Sequence, residues 1–419
     1  MQNNTPKILI ISSANPVKGP GVLATDMYKA LAEANVEVDL LTKYPVEGHP
    51  EFLFVNHKES IWDKVKNKIR HKLLKPKAGY YFFYKKEIHP PMPVKKVLAK
   101  ISKPYDMVCV LFWQGLLSFM TIDAIYDKLR CTFLFICADY SPMAGGCHFT
   151  CSCEKYRTGC GECEALGSHD KNDFTAWNVR YRKKVYDKVK PIVGCNSYMM
   201  QFFNRSYLLK DVRKEIIYPV INTEIFKPLN RSELIAKHNI DKNKKFIVFL
   251  GCQSLSDSRK GIGLLIEALK LFHSQMSEDE RNGVLLICAG KNFSTIEPML
   301  PFESKDFGFV GVEMLPELFS LADVFLCPSV YDAGPMMVNQ SLCCGTPVVG
   351  FEMGSCLHVV KDCGTGYCAK VGDVDDFAKG VNWIYNLSYS DKEKLRTHCR
   401  NFGAEHHSYQ AFAKKILEL

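Results

Sequence analysis

The stretch "ADVFLCPSVYDAGPMMVNQSLCCGTPVVGF", Ala322 to Phe351, holds the pattern on which the fold turns. An apolar run, ADVFLCPS, ends at Ser329. A Gly334-Pro335 step follows, then a helix-spaced stretch from about Met336, then a second apolar run, TPVVGF. Short continuous apolar runs joined by helical patterns mark a parallel sheet covered on both faces. Gly334 permits close approach of the backbone to a ligand, and the unpaired amides of a first helical turn attract an anion. Asp332 stands just before that turn. Gln340 lies eight positions later, about two helical turns along. Side chains so spaced suit a sugar and a ribose on either side of a diphosphate. The plainer alternative is a helix cap at Asp332 and a core-edge residue at Gln340.

The same alternation extends outward in both directions. KILIISS, VEVDLLT, MVCVLFW, CTFLFICAD and PIVGCNS form a first series of apolar runs with helical patterns between them. EIIYPVINTEIFKPLNR, with Pro219 and Pro228, reads as a linker. A second series follows: KFIVFLG, VLLICAG, FGFVG, ADVFLCPS, TPVVGF and GYCAK. The chain ends in two helical patterns, roughly Asp391 to His406 and Tyr409 to Leu417. The expected division is a domain over 1–219, a linker over 220–243, a domain over 244–395, and a segment over 396–419 that packs back on the first domain. Two doubly wound α/β domains facing a central cleft would carry ligands at the C-terminal ends of their strands.

The chain has 419 residues, enough for two such domains, and its 47% hydrophobic content is that of a globular protein. No apolar run approaches the roughly 20 residues that span a bilayer. MQNNTPKILIIS enters a buried-type strand and does not read as a signal peptide, so a cytoplasmic protein is expected. The net charge of +9 is uneven. DKVKNKIRHKLLKPKAGYYFFYKK sets aromatics among lysines, a composition that suits an anionic membrane surface or simply a solvated helix face. No nucleic-acid recognition motif accompanies it, so nucleic acid is not an expected partner.

Two further stretches carry chemistry. GCQSLSDSRKG, Gly251 to Gly261, lies between a strand and a helix, and Arg259 and Lys260 there suit a phosphate group. Of the 18 cysteines, most sit in apolar strands as small buried hydrophobes. Five cluster in GGCHFTCSCEKYRTGCGEC, within the loop 145–163. Cys160 and Cys163 form a C-x2-C pair, and Cys147 and Cys153 could complete a tetrahedral set, with Cys151 and His148 beside them. Structural zinc, free thiols and a disulfide are the three readings of this loop.

Taken together these motifs resemble the retaining glycosyltransferases of family 4, which have the two-domain GT-B fold. The features that carry the resemblance are the glycine-containing loop with its basic pair, ADVFLCPS and the helix after it, CGTPVVGF, and YPVINTEIFKP at the linker. The cysteine loop resembles a bacterial subgroup acting in exopolysaccharide or colanic-acid-type assembly. The resemblance implies a UDP- or GDP-sugar donor, a glycan or lipid-linked acceptor, retention of configuration, no catalytic metal, and peripheral association with the membrane. It implies catalytic roles for Asp139, Arg259, Lys260 and Asp332. It implies donor contacts from Gly19, Gly21, Gly251, Gln253, Arg259, Lys260, Val310, Gly334, Pro335, Met336, Met337 and Gln340.

The chain departs from the family pattern at three places. Gln340 stands for a second acidic residue, Cys137-Ala138-Asp139 for a His-Asp pair, and Cys252-Gln253 where a basic residue commonly follows the glycine. A catalytically degenerate protein that binds a nucleotide sugar or scaffolds glycan assembly is therefore the alternative reading.

Overall fold

The computed structural model describes residues 5–56, 65, 68–69 and 87–419. Nearly all of the basic, aromatic stretch from Lys64 to Lys86 lies outside the described residues. The chain separates into two compact units. One ends its main run at Ile217 and takes back Ala413–Leu419, and the other is Tyr218–Phe412.

The first unit is built on seven parallel strands: β1 (Lys7–Ser12), β2 (Glu37–Thr42), β3 (Leu53–Phe54), β4 (Met107–Leu111), β5 (Thr132–Ile136), β6 (Ile192–Cys195) and β7 (Arg213–Ile216). Their spatial order is β3-β2-β1-β4-β5-β6-β7. The interior strands are the apolar runs of the sequence, because a strand covered on both faces has no solvent side to make polar. The strand β7 reads RKEI and carries no such signal. It lies at the sheet edge, where charge is tolerated and discourages further pairing. Lys415 reaches Glu215 of this strand at 2.9 Å, and Arg213 donates to the Leu419 carbonyl at 3.3 Å.

The second unit has six parallel strands: β8 (Phe246–Ser254), β9 (Val284–Lys291), β10 (Ser304–Asp306), β11 (Val324–Cys327), β12 (Val348–Phe351) and β13 (Gly366–Ala369). Their order is β10-β9-β8-β11-β12-β13. Alternate residues of β8 face opposite cores. Phe246, Val248 and Leu250 pack with the helices Ile262–Ser274 and Val374–Asn386. Ile247 and Phe249 pack with the helices Leu315–Leu321 and Met336–Cys343. Truncating a buried phenylalanine such as Phe249 costs about 3–5 kcal/mol, so these two layers hold the loops above them in place.

FGFVG is not a strand. β10 precedes it, and Gly308 (φ +67°) turns the chain away while its carbonyl accepts from the Gly290 amide at 2.8 Å. The stretch 220–243, read above as a linker, belongs to the second unit and contains the helix Arg231–Lys237.

Both sheets reverse direction of strand order once. In the second unit the reversal lies between β8 and β11, which pair directly although β9 and β10 intervene in sequence. Loops at the C-terminal ends of the two strands flanking such a reversal diverge and leave room for a ligand.

Candidate nucleotide-sugar site

The two loops at the reversal in the second unit are those of Arg259-Lys260 and of Asp332. After β8 the chain makes a single 3-10 turn, Ser258–Lys260, opened by Asp257, whose carboxylate accepts from the Arg259 amide. Asp257 also pairs with the Arg259 guanidinium at 2.7 Å. Gly261 then adopts φ +63° and starts the helix Ile262–Ser274. A Cβ at Gly261 would lie 2.0 Å from the Pro328 carbonyl oxygen, so only glycine lets this turn lie against the end of β11. The Arg259 carbonyl completes the junction by accepting from the amides of Val330 and Tyr331 at 2.9 and 3.3 Å.

That junction brings together two side chains 72 residues apart. Lys260 Nζ lies 2.5 Å from Asp332 Oδ2. Burial opposes the lysine's charge, but the neighbouring carboxylate outweighs it and lifts the ammonium above its ordinary range. Asp332 is itself fixed. Its Oδ1 accepts from the Gly334 amide at 3.1 Å, and its own amide meets Met353 Sδ at 2.9 Å. Behind the pair, the Cys356 thiol hydrogen-bonds to Cys327 and holds that sulfur below the usual thiol range despite burial.

The helix Met336–Cys343 begins directly after this turn. Its N-cap is Pro335, and no side chain caps it. Asp332 is thus the anchor of the turn before the helix and not its cap. Gly354 (φ +54°) closes on Gly334 and Pro335, with its Cβ position 3.3 Å from the Gly334 amide nitrogen. The helix start is therefore held between the Asp332 turn and the Gly354 turn. Gly251 lies beneath it: a Cβ there would come 2.5 Å from Met337 Cε. Met336, Met337 and Gln340 are half-buried.

Other expected donor residues are more dispersed. Gln253 is exposed at the end of β8, which continues past Gly251 through an irregularity to Ser254. Val310 lies in the loop after β10, packed at the margin of the apolar layer. Asn339 was not singled out in the sequence. It is buried on the helix, its Nδ2 donates to Ser355 Oγ at 3.5 Å, and its Oδ1 has no partner among the described residues. Its one local signal is an amide at a position facing the core.

The remaining expected residues belong to the first unit. Gly19 and Gly21 form a 3-10 turn after β1. Gly21 is pressed against the Asn15 carbonyl, 2.0 Å from its Cβ position. Asp139 follows β5. Its Oδ1 accepts from the Ser141 amide at 2.8 Å, and its Oδ2 is paired with His148 Nδ1. The His-Asp pairing missing from the Cys137-Ala138-Asp139 sequence is thus supplied from nine residues further along the chain. The Tyr140 amide, donating to the His148 carbonyl at 2.9 Å, holds the imidazole there. Arg182, buried, pairs with buried Glu87 at 2.6 Å and also donates to the carbonyls of Ser141 and Ala144, which fixes the same loop from below.

The chain is similar in sequence and in fold to several known proteins. Residues 230–406 match the family model of glycosyl transferases group 1. Over 267 residues, 58% of the chain, it is 24% identical to an alpha-maltose-1-phosphate synthase of Mycolicibacterium smegmatis, covering 65% of that protein. It is 26% identical over 52% of its length to the putative glycosyltransferase YtcC of Bacillus subtilis, covering 56% of it. The chain thus spans between about half and two thirds of these relatives' lengths.

Among solved structures, the sucrose-phosphate synthase of Thermosynechococcus elongatus superposes with a TM-score of 0.66 at 17% identity, covering 99% of this chain and 98% of that one. Anabaena HepE in complex with UDP does so with a TM-score of 0.65 at 16% identity, covering 98% of each chain. The fold is that of the GT-B glycosyltransferases, two Rossmann-like parallel-sheet domains. Residues 230–406 are thus similar to glycosyl transferases group 1, and the solved structures share the fold of the whole chain.

Proposed function

We propose that this protein transfers a sugar from a nucleoside-diphosphate donor, of the uridine or guanosine type, to a hydroxyl of a growing glycan with retention of configuration. The observation that carries the reading is the meeting of Lys260 with Asp332 in front of an uncapped helix start, at the strand-order reversal of the second sheet. Transfer breaks the bond from the anomeric carbon to the diphosphate oxygen and forms one to the acceptor oxygen, whose hydroxyl proton passes to the departing diphosphate. The diphosphate leaves with the electron pair and gains charge. In this reading Lys260, Arg259 and the amides of Met336 and Met337 are donors fixed in advance for that charge, and fixed donors lower the barrier without reorganising. On the same reading Asp332 meets the transferred sugar and Gln340 the ribose. The likeness to the putative glycosyltransferase YtcC supports the transfer reading, and the structures of HepE with UDP and with UDP-glucose support the donor class.

We place the acceptor on a lipid-linked glycan at an anionic membrane surface, on the strength of the basic stretch between Lys64 and Lys86. Vesicle sedimentation that falls steeply with salt is the expected outcome, and equal binding to neutral vesicles refutes it. The direct test of the main reading is a panel of nucleotide sugars. A donor at about a hundred times its dissociation constant should add about 2.7 kcal/mol of stability and release its nucleoside diphosphate when acceptor is present. No stabilisation by any nucleotide sugar refutes the donor site. Stabilisation without release, with every acceptor class supplied, favours the second reading, a binding protein without transfer, which Ala138 and Gln340 motivate.

A further inference from the structure

The loop after β5 has two parts. In its cysteine-rich part, 147–163, the thiols are free, and among the described residues no three His, Cys, Asp or Glu side chains are gathered as an ion would hold them. The part before it, Ser141 to Gly145, is held in another way. Five consecutive carbonyls there each accept a hydrogen bond from a side chain. Arg182 donates to those of Ser141 and Ala144, Tyr186 Oη to that of Pro142 at 3.1 Å, Ser206 Oγ to that of Met143 at 3.3 Å, and Asn178 Nδ2 to that of Gly145 at 2.9 Å. Gly145 is pressed on the Thr175 carbonyl oxygen, 2.3 Å from its Cβ position, so only glycine fits there.

Three of the four donors form one stripe. Asn178, Arg182 and Tyr186 recur every fourth residue on the helix Phe174–Val189, and all three are buried. Buried Glu87 anchors the stripe. Its carboxylate accepts from Arg182 Nε and from the Phe119 amide, each at 2.8 Å, and its own amide donates to Asn178 Oδ1 at 3.1 Å. Apolar side chains would cover the same loop without burying a guanidinium and a carboxylate. They would not fix the direction of five carbonyls, as a satisfied polar network does. The segment so fixed is the chain between Asp139 and His148. It therefore sets how those two side chains meet at the C-terminal end of β5, the end at which parallel sheets bind ligands.

We infer that Asn178, Arg182 and Tyr186 are positioning residues for the proposed transfer and act through the Asp139–His148 pair, an inference that rests on the transfer reading above. Glu87→Leu with Arg182→Met puts apolar side chains in place of the buried ion pair, a change that often leaves stability equal or higher, and removes two of the carbonyl donations. The double variant should keep its urea midpoint and should bind UDP or GDP as the unaltered chain does, because the candidate donor site lies in the second unit. Its kcat should fall about 100-fold at unchanged donor KM, the effect of a misplacement of about 1 Å. In an Asp139→Ala background the same double change should lower kcat no further, since residues that act as a unit are not additive. Tyr186→Phe removes one donor at nearly constant volume and should give a smaller fall of the same kind, whether or not the double variant folds. Hydrogen exchange at the Tyr140 and Ser141 amides, which bond to His148 and Asp139, should quicken about tenfold or more in the double variant. An unchanged kcat in the folded double variant, a loss that adds in full to that of Asp139→Ala, or unchanged exchange at those amides overturns the inference. An unaltered chain that turns over no nucleotide sugar refutes the transfer reading, and the exchange rates then test by themselves whether the stripe sets the pair.

Discussion

Lys260→Met and Asp332→Asn should destabilise the protein alike and affect nucleotide binding in opposite ways. Breaking a buried ion pair at one partner costs about 3–5 kcal/mol. Here the side chains are 21% and 14% exposed, and Asp332 keeps the Gly334 amide, so the loss should be nearer 1–3 kcal/mol. Methionine keeps the stem of Lys260 in its packed position, which confines the change to charge. The diphosphate loses a charge-assisted hydrogen bond worth about 1.5–3 kcal/mol, so its dissociation constant should rise about 10- to 150-fold. Asp332→Asn removes the competing anion and leaves Lys260 for the ligand. Affinity for free UDP or GDP should then hold or improve, while transfer falls because the sugar loses its partner. Urea denaturation and titration calorimetry on both variants and the double variant measure each term. A coupling energy near zero would show that the ion pair does not exist in solution. Equal weakening of nucleoside-diphosphate binding by both changes would refute the opposed roles assigned to the two residues.

Gln340 should respond as a neutral ribose partner. Gln340→Glu is expected to keep or improve nucleotide affinity by strengthening bonds to hydroxyls, and Gln340→Ala to weaken it, both read by calorimetry. His407 should make the second unit sensitive to acid. It is fully buried, its Nδ1 donates to the Pro219 carbonyl at 2.8 Å, and burial lowers its pKa from 6.5 to about 4. Its folded pKa lies below the unfolded one, so the unfolded chain binds the proton first. Stability should therefore fall by roughly 3 kcal/mol as the pH drops from about 6.5 to about 4. His407→Phe should flatten that part of the denaturation profile, and an unchanged slope refutes the assignment.

The strands were legible in the sequence wherever they are buried on both faces, because full burial writes a continuous apolar run whatever the neighbours. ADVFLCPS, TPVVGF and KFIVFLG are β11, β12 and β8 on that ground, and the helix start at Met336 followed from the Gly334-Pro335 step. β7 was not legible, since an edge strand such as RKEI can be charged, nor was the failure of FGFVG to form a strand, which depends on the turn at Gly308. For the site, residue types and helical spacing singled out Lys260, Asp332 and Gln340 one at a time. Only the tertiary structure decided that Lys260 meets Asp332, because that contact requires β11 to pair with β8 and not with β10, which precedes it in sequence. The same holds for His148 on Asp139, which needs the cysteine loop to fold back on the end of β5. Local pattern records how much of a residue is covered. Which partner covers it is set by strand order, and strand order is a property of the whole sheet.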